Sequence, residues 1–66
     1  MKPKFSQVTV QLVGQDGNAF TVLGLVQKAM HKAGISKADI EAFTTEATAG
    51  DYNHLLATVV RTVEVE

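Results

Sequence analysis

The sequence predicts an α+β domain in the order strand–helix–helix–helix, with a short C-terminal strand that pairs with the N-terminal strand. Residues 8–12 alternate apolar and polar side chains, which is typical of a half-buried strand. After residue 18, apolar side chains recur every three or four positions, which is typical of amphipathic helices. Turn signals at 14–18 (GQDGN), 34–36 (GIS) and 50–51 (GD) separate the strand and the helices.

The first strand is predicted over residues 8–13, and the first helix begins after Asn18, whose side chain suits the N-cap position. Gly34 is expected to end this helix, because glycine adopts the left-handed conformation of the C′ position without strain. Gly24 lies inside the helix, where it costs about 1 kcal/mol relative to alanine, and we expect a closely approaching backbone to explain it. The predicted apolar stripe consists of Phe20, Leu23, Val26, Met30 and Ala33, widened by Val22, Leu25 and Ala29.

The second and third helices are predicted from their N-terminal caps. Ser36 and Asp39 resemble a capping box, and the helix that follows them is expected to end at about residue 47 or 48. Asp51 is the expected N-cap of the third helix. Residues 62–65 alternate and include β-branched side chains, so we expect a short strand there, with continuation of the helix as the alternative.

The length of the chain limits how stable it can be alone. Its 66 residues form one domain (1–66), in which residues 1–6 are expected to be a flexible tail. A chain of this size buries a small core, and without cysteine it has neither disulfides nor a cysteine zinc site to stabilise it. Self-association into a homo-oligomer, which hides more apolar surface, is therefore one hypothesis that follows from size alone.

Composition and charge disfavour several functional classes. The chain is 45% hydrophobic and 20% charged, as ordinary globular proteins are. Its net charge of −1 differs from the basic excess of a dedicated nucleic-acid binder. The N-terminal residues do not have the apolar stretch of a signal peptide, and no apolar run approaches the roughly 20 residues of a membrane span. We therefore expect a cytoplasmic protein with no membrane partner.

Two features could indicate an anion-binding site or a metal site, but each has a simpler structural interpretation. The corner at 14–18 is arranged like an anion site at a helix N-terminus, but Asp16 would repel a phosphate, and turn formation accounts for its residues. His31 and His54 lack the spacing of metal ligands, so a shared site would need them to meet in space. The serines lie in the N-terminal tail and at a helix cap. We therefore expect no catalytic residue, no metal and no cofactor.

A basic patch is predicted near the end of the first helix and consists of Lys28, His31, Lys32 and Lys37. Such a patch can bind nucleic acid or an acidic protein. The alternative is a solvated helix face whose cations interact with the negative end of the helix dipole. No arginine or aromatic residue is interleaved with these side chains, so base recognition is not indicated.

The segments GNAF at 17–20 and GDYNHLL at 50–56 resemble a group of very short bacterial and phage proteins of unknown function, in which GNAF is followed by GDYxHLL. The resemblance implies a small cytoplasmic protein, sometimes encoded by a phage or mobile element, and supplies no functional residue. It suggests that the two segments pack together. In that case Asn18, Asp51 and Tyr52 form a polar rim around Phe20 and Leu55, a surface suited to protein binding. The alternative is that Tyr52 packs at the core edge with its hydroxyl in water.

Three functions remain open from the sequence. We expect first a non-enzymatic accessory or regulatory module that binds an unknown protein, because the charge is near neutral and no catalytic motif is present. The second is a weak nucleic-acid-binding regulator that uses the basic patch. The third is a self-associating structural protein.

Overall fold

The computed structural model describes residues 2–12, 14 and 17–66. The elements in chain order are β1 (Phe5–Val10), α1 (Ala19–Lys32), α2 (Lys37–Ala47), α3 (Tyr52–Thr62) and β2 (Val63–Val65). The predicted α+β order is confirmed, and β2 settles the alternative at the C-terminus in favour of a strand. β1 ends at Val10, so the strand predicted over residues 8–13 is wrong at its C-terminal end, although Val13 itself lies outside the described residues. The anion and turn interpretations that involve Asp16 also lie outside the described residues.

The two strands form a parallel sheet with an irregular register. Phe5 pairs with Val63, whereas Thr9 and Val10 pair with Glu64 and Val65. The sheet is extended at the C-terminal side, where the amide of Glu66 donates to the carbonyl of Val10 at 2.9 Å. Pairing with β2 therefore satisfies backbone groups that a lone strand would leave open.

The first strand begins earlier than predicted. Phe5 and Ser6 belong to β1, and the amide of Lys4 donates to the carbonyl of Arg61 at 2.8 Å, so the expected tail over 1–6 is wrong for its last residues. The bulge between Phe5 and Thr9 interrupts the alternation, and both Ser6 and Gln7 are exposed. The start of the strand is therefore determined by its partner rather than by its own pattern.

The helix caps agree with the sequence predictions. Asn18 Oδ1 accepts from the amide of Phe20 at 2.8 Å, and Asp51 Oδ1 accepts from the amide of His54 at 2.9 Å. Ser36 Oγ accepts from the amide of Asp39 at 3.2 Å.

The turn after α1 is built around Gly34. This glycine has φ +82°, its amide donates to His31, and the amide of Ile35 donates to Met30, which together form a Schellman motif. The turn returns the chain along α1, so the start of α2 lies beside the end of α1.

The core lies between the helices and one face of the sheet. Its buried apolar residues are Val8, Val10, Val22, Val26, Met30, Phe43, Ala47, Leu55, Val59 and Val63. Buried Thr58 and Thr62 donate their hydroxyls to the carbonyls four residues earlier, so both groups are satisfied. Among the described residues, no helix has both the length and the apolar character needed to cross a membrane.

The predicted stripe of α1 is wrong at both ends. Phe20 is 84% exposed, and Ala33 is also exposed. The buried side chains are Val22, Val26 and Met30. Of these, Val22 was predicted only as a residue that widens the stripe. The apolar residues of α1 cover more of the helix circumference than a single packed helix or strand can bury. Packing against β1 and the other helices therefore decides which of these residues are buried.

Candidate functional site

A cleft opens where the start of α1, the end of α2 and the start of α3 meet. It has a volume of about 340 Å³. We call it the aromatic cleft, and it is lined by Ala19, Phe20, Leu23, Ala47, Thr48, Gly50, Asp51, Tyr52 and Leu55. Its walls are mostly apolar, and it combines residues from both segments that the sequence analysis expected to pack together.

Phe20 is the most exposed large apolar side chain in the described part of the chain. Its ring lies in the first turn of α1, where the amide of Phe20 is held by the Asn18 cap. With 84% of Phe20 open to solvent, almost none of its apolar surface is used by this fold. An exposed aromatic residue beside a cleft is a typical feature of a recognition surface.

Tyr52 fixes the opposite wall of the aromatic cleft. Its hydroxyl donates to the carbonyl of Gly17 at 2.6 Å, a contact between residues 35 positions apart. This bond ties the start of α3 to the corner before α1, so the exposed hydroxyl is bonded to the chain itself and not to water alone. Tyr52 remains 42% exposed, which leaves much of the ring available on the surface.

The structure brings Phe20, Asp51 and Tyr52 to the aromatic cleft, whereas Asn18 precedes the lining residue Ala19 in sequence and does not itself line the cleft. The carboxylate of Asp51 is engaged as the cap of α3. Asn18 Oδ1 is likewise engaged as the cap of α1. The polar rim expected from the sequence therefore consists of groups that also hold the two helix N-termini in place.

His54 bridges α3 to α2. Its Nε2 lies 2.7 Å from Glu46 Oε2 and 3.0 Å from the carbonyl oxygen of Glu46. This contact was not predicted from the sequence, because the two residues are separated by a turn rather than by a helical repeat. No three His, Asp or Glu side chains converge as metal ligands within residues 2–12, 14 and 17–66.

A second, larger depression lies between the second half of α1 and the first half of α2. It has a volume of about 850 Å³ and is open to solvent. We call it the basic groove, and it is lined by Gly24, Gln27, Lys28, His31, Lys37, Ile40, Glu41, Thr44 and Thr45. Of the predicted basic patch, Lys28, His31 and Lys37 line this groove, whereas Lys32 is exposed but does not line it.

Gly24 forms an open notch in the wall of the basic groove. A Cβ atom built on Gly24 would have no heavy atom of the described neighbours within 4 Å. The expectation that a neighbouring backbone approaches Gly24 is therefore wrong. No contact within this fold accounts for a helix-interior glycine at this position.

The floor of the basic groove is held by one hydrogen bond between the two helices and a second one within α2. Gln27 Nε2 donates to Thr44 Oγ1 at 2.8 Å, and this hydroxyl donates to the carbonyl of Ile40 at 2.9 Å. Within the described residues, neither Lys28 nor Lys37 forms an ion pair. The groove therefore combines fixed walls with cations that no side chain of the described chain neutralises.

No protein-family model, curated protein or solved structure matches this chain. The resemblance at 17–20 and 50–56 therefore stays a prediction. The function must be inferred from the aromatic cleft and the basic groove themselves.

Proposed function

We propose that this chain is a non-enzymatic accessory module of the cytoplasm that binds another protein through the aromatic cleft. One observation carries the proposal, namely the 84% exposure of Phe20 at the edge of a preformed apolar cleft. The partner inserts an apolar side chain between Phe20 and Tyr52. Burial of two aromatic rings by that side chain supplies most of the binding free energy.

Preorganisation favours binding at this position. The hydrogen bond from Tyr52 to Gly17 and the cap by Asp51 hold the wall of the cleft before any partner arrives. Little conformational entropy of this chain is therefore lost when a partner binds to the cleft. The exposed ring of Phe20 is the part that gains most from burial, at roughly 25 cal/mol per Å² of apolar area removed from water.

The polar groups of the cleft support a binding role better than a catalytic one. The Asp51 carboxylate accepts from a backbone amide, and the Tyr52 hydroxyl donates to a backbone carbonyl. General acid or base catalysis requires such a group to reach the substrate proton. Here both groups serve the fold, and the cleft offers apolar contact.

The proposal is tested by affinity co-purification of the tagged full chain from a bacterial lysate treated with nuclease. The Phe20→Ser variant is compared with Val60→Ser, because Val60 is also strongly exposed, at 61%, but lies outside the cleft. We expect a stoichiometric protein partner that is lost with Phe20→Ser and kept with Val60→Ser. A partner retained equally by both variants would contradict the proposal.

Light scattering of the purified chain separates this function from self-association. We expect a monomer at the concentrations of the co-purification. A dimer that Phe20→Ser converts to a monomer would instead identify a second copy of this chain as the occupant of the cleft. Capture of nucleic acid alone, lost as salt is raised, would favour the regulator that uses the basic groove.

A further inference from the structure

We propose that the basic groove binds an acidic amphipathic segment of a protein partner, with a small apolar side chain or backbone of that segment resting on Gly24. The inference rests on the proposed function in that it assumes a protein partner. It adds a second contact surface and the chemistry of the segment that occupies it.

Gly24 supplies the first argument. Glycine lowers the stability of a helix interior relative to alanine, and no described atom lies where its side chain would be. The missing side chain leaves the backbone of α1 accessible from outside at this position. A molecule that approaches here reaches closer to the helix axis than it could beside any other residue type.

Charge supplies the second argument. Lys28 and His31 follow Gly24 along α1, and Lys37 begins α2, so all three line the part of the groove nearer the turn between these helices. Neither lysine is ion-paired in the part of the chain that the structure describes. Carboxylates of a partner would complement the two lysines, whereas Gly24 and Thr45, which line the groove further from this turn, carry no charge. The groove therefore favours a segment that is acidic at one end and small and apolar at the other.

The lining of the groove favours a protein segment over nucleic acid. Glu41 also lines the groove and would repel a phosphate chain, which carries a charge at every nucleotide, whereas a peptide can place its carboxylates at the lysines and a neutral residue beside Glu41. Ile40 gives the floor an apolar contact that a phosphate backbone does not use. No Arg, Phe, Tyr or Trp side chain is among the described residues that line the groove, and the whole chain has a net charge of −1.

The basic groove and the aromatic cleft lie next to each other along α1. Leu23 lines the cleft and Gly24 lines the groove. From Phe20 to His31 the helix rises about 16 Å, so a partner helix of about 11 residues can span both surfaces. A single amphipathic segment therefore contacts both, with its acidic end at Lys37.

The test begins with a selection of random peptides of about 12 residues, long enough as a helix to span both surfaces, on the immobilised full chain. We expect enrichment of peptides that carry Asp or Glu beside apolar residues. A fluorescent copy of the most enriched peptide is then titrated with the wild-type chain and its variants. Failure to enrich peptides, or enrichment without acidic residues, would overturn the inference.

Charge reversal identifies the groove. The double variant Lys28→Glu/Lys37→Glu is expected to weaken peptide binding by at least about tenfold, as the loss of two complementary charges would. Lys32→Glu is the matched control, because Lys32 belongs to the same patch but does not line the groove. It should change the affinity by no more than about twofold, the scale of a distant surface charge. Equal weakening by both would show general electrostatic attraction and overturn the inference.

Gly24→Leu tests the notch itself. The leucine side chain would fill the open space, so peptide binding should fall while the melting temperature stays the same or rises. Unchanged peptide binding by this variant would overturn the inference. The same titration with a short DNA duplex detects nucleic acid as the occupant, and tighter binding of the duplex would overturn it as well.

Phe20→Ser distinguishes the two proposals. If the aromatic cleft fails as a binding surface, Phe20→Ser leaves peptide binding intact while Gly24→Leu still reduces it. If the basic groove fails as a binding surface, Gly24→Leu leaves peptide binding intact while Phe20→Ser still reduces it.

Discussion

Gly24 lies inside α1 and Gly50 lies in the turn between α2 and α3, and the surroundings of these two glycines differ completely. A Cβ atom at Gly50 would lie 2.9 Å from both Cβ and Cγ of His54, whereas a Cβ atom at Gly24 would have no described neighbour within 4 Å. Glycine at position 50 is therefore required by the packing of this chain. Packing within this chain does not require glycine at position 24, so a molecule that binds at this position is the proposed reason for it.

The surroundings of Gly50 extend this comparison to hydrogen bonds. Next to Gly50, Asp51 caps α3 and His54 reaches back to Glu46, so the polar groups of the turn are matched by the chain itself. Beside Gly24, the nearby cation of Lys28 has no ion pair in the described residues. Where the polar groups have partners within the chain, as near Gly50, their role in stability explains the residues present. Where a charged group has no such partner, as near Gly24, the surface is a candidate for binding another molecule.

The largest effect is expected for Gly50→Ala, which should lower the free energy of unfolding by about 1–3 kcal/mol, as overpacking does. The new methyl group would collide with His54 Cβ, an atom fixed to the α3 backbone that no rotamer change can move away. Urea unfolding followed by circular dichroism measures the change. A loss below about 0.5 kcal/mol would break the comparison, because it would mean that the turn relaxes freely.

Gly24→Ala is the same substitution at the open position and should raise the free energy of unfolding by about 1 kcal/mol, through better helix propensity. The added methyl group meets no described atom, so no packing cost offsets the gain. The same urea experiment measures it beside Gly50→Ala. A destabilised Gly24→Ala variant would remove the argument that this glycine serves a ligand.

Tyr52→Phe should lower the free energy of unfolding by about 0.5–1 kcal/mol, the net contribution of one exposed hydrogen bond. The ring stays, but the 2.6 Å bond to the carbonyl of Gly17 is lost. Hydrogen exchange of the amides in the first turn of α1 should rise, because the wall of the aromatic cleft is no longer tied to that corner. Unchanged exchange would show that the corner is held by other contacts.

The smallest effect is expected for Glu46→Gln, at less than about 0.5 kcal/mol, because the carboxylate is 61% exposed and such pairs are screened by water. The amide of glutamine can still meet His54 Nε2. Urea unfolding measures the difference beside Gly50→Ala. A loss as large as that of Gly50→Ala would place the stability of this turn in the contact between Glu46 and His54 instead of its packing.

Much of the fold was predictable because it depends on short-range chemistry. Asn18, Ser36 and Asp51 each bond an amide two or three residues ahead, so each cap is encoded within one helical turn. Gly34 ends α1 for a reason equally local, its positive φ. The beginning of β1 was missed because a bulge hides the alternation and the partner strand supplies the hydrogen bonds.

The candidate site was predictable only in part. Lys28 and Lys37 were grouped from their positions along the chain, and the structure brings both to one groove. The pairing of the Gly17 and Tyr52 segments was suggested by a resemblance, and the hydrogen bond joins them. The exposure of Phe20 was not predictable, because helical periodicity does not state which part of a wide apolar sector meets the core.

The sequence alone determined the order of the elements, the caps, the turns and the amphipathic character of the helices, since these depend on residues within a few positions of one another. The tertiary structure decided the parallel register of the strands, the contact between His54 and Glu46, the exposure of Phe20 and the open notch at Gly24. These features depend on which distant surfaces pack together. Packing is a property of the whole chain, so no local pattern contains it.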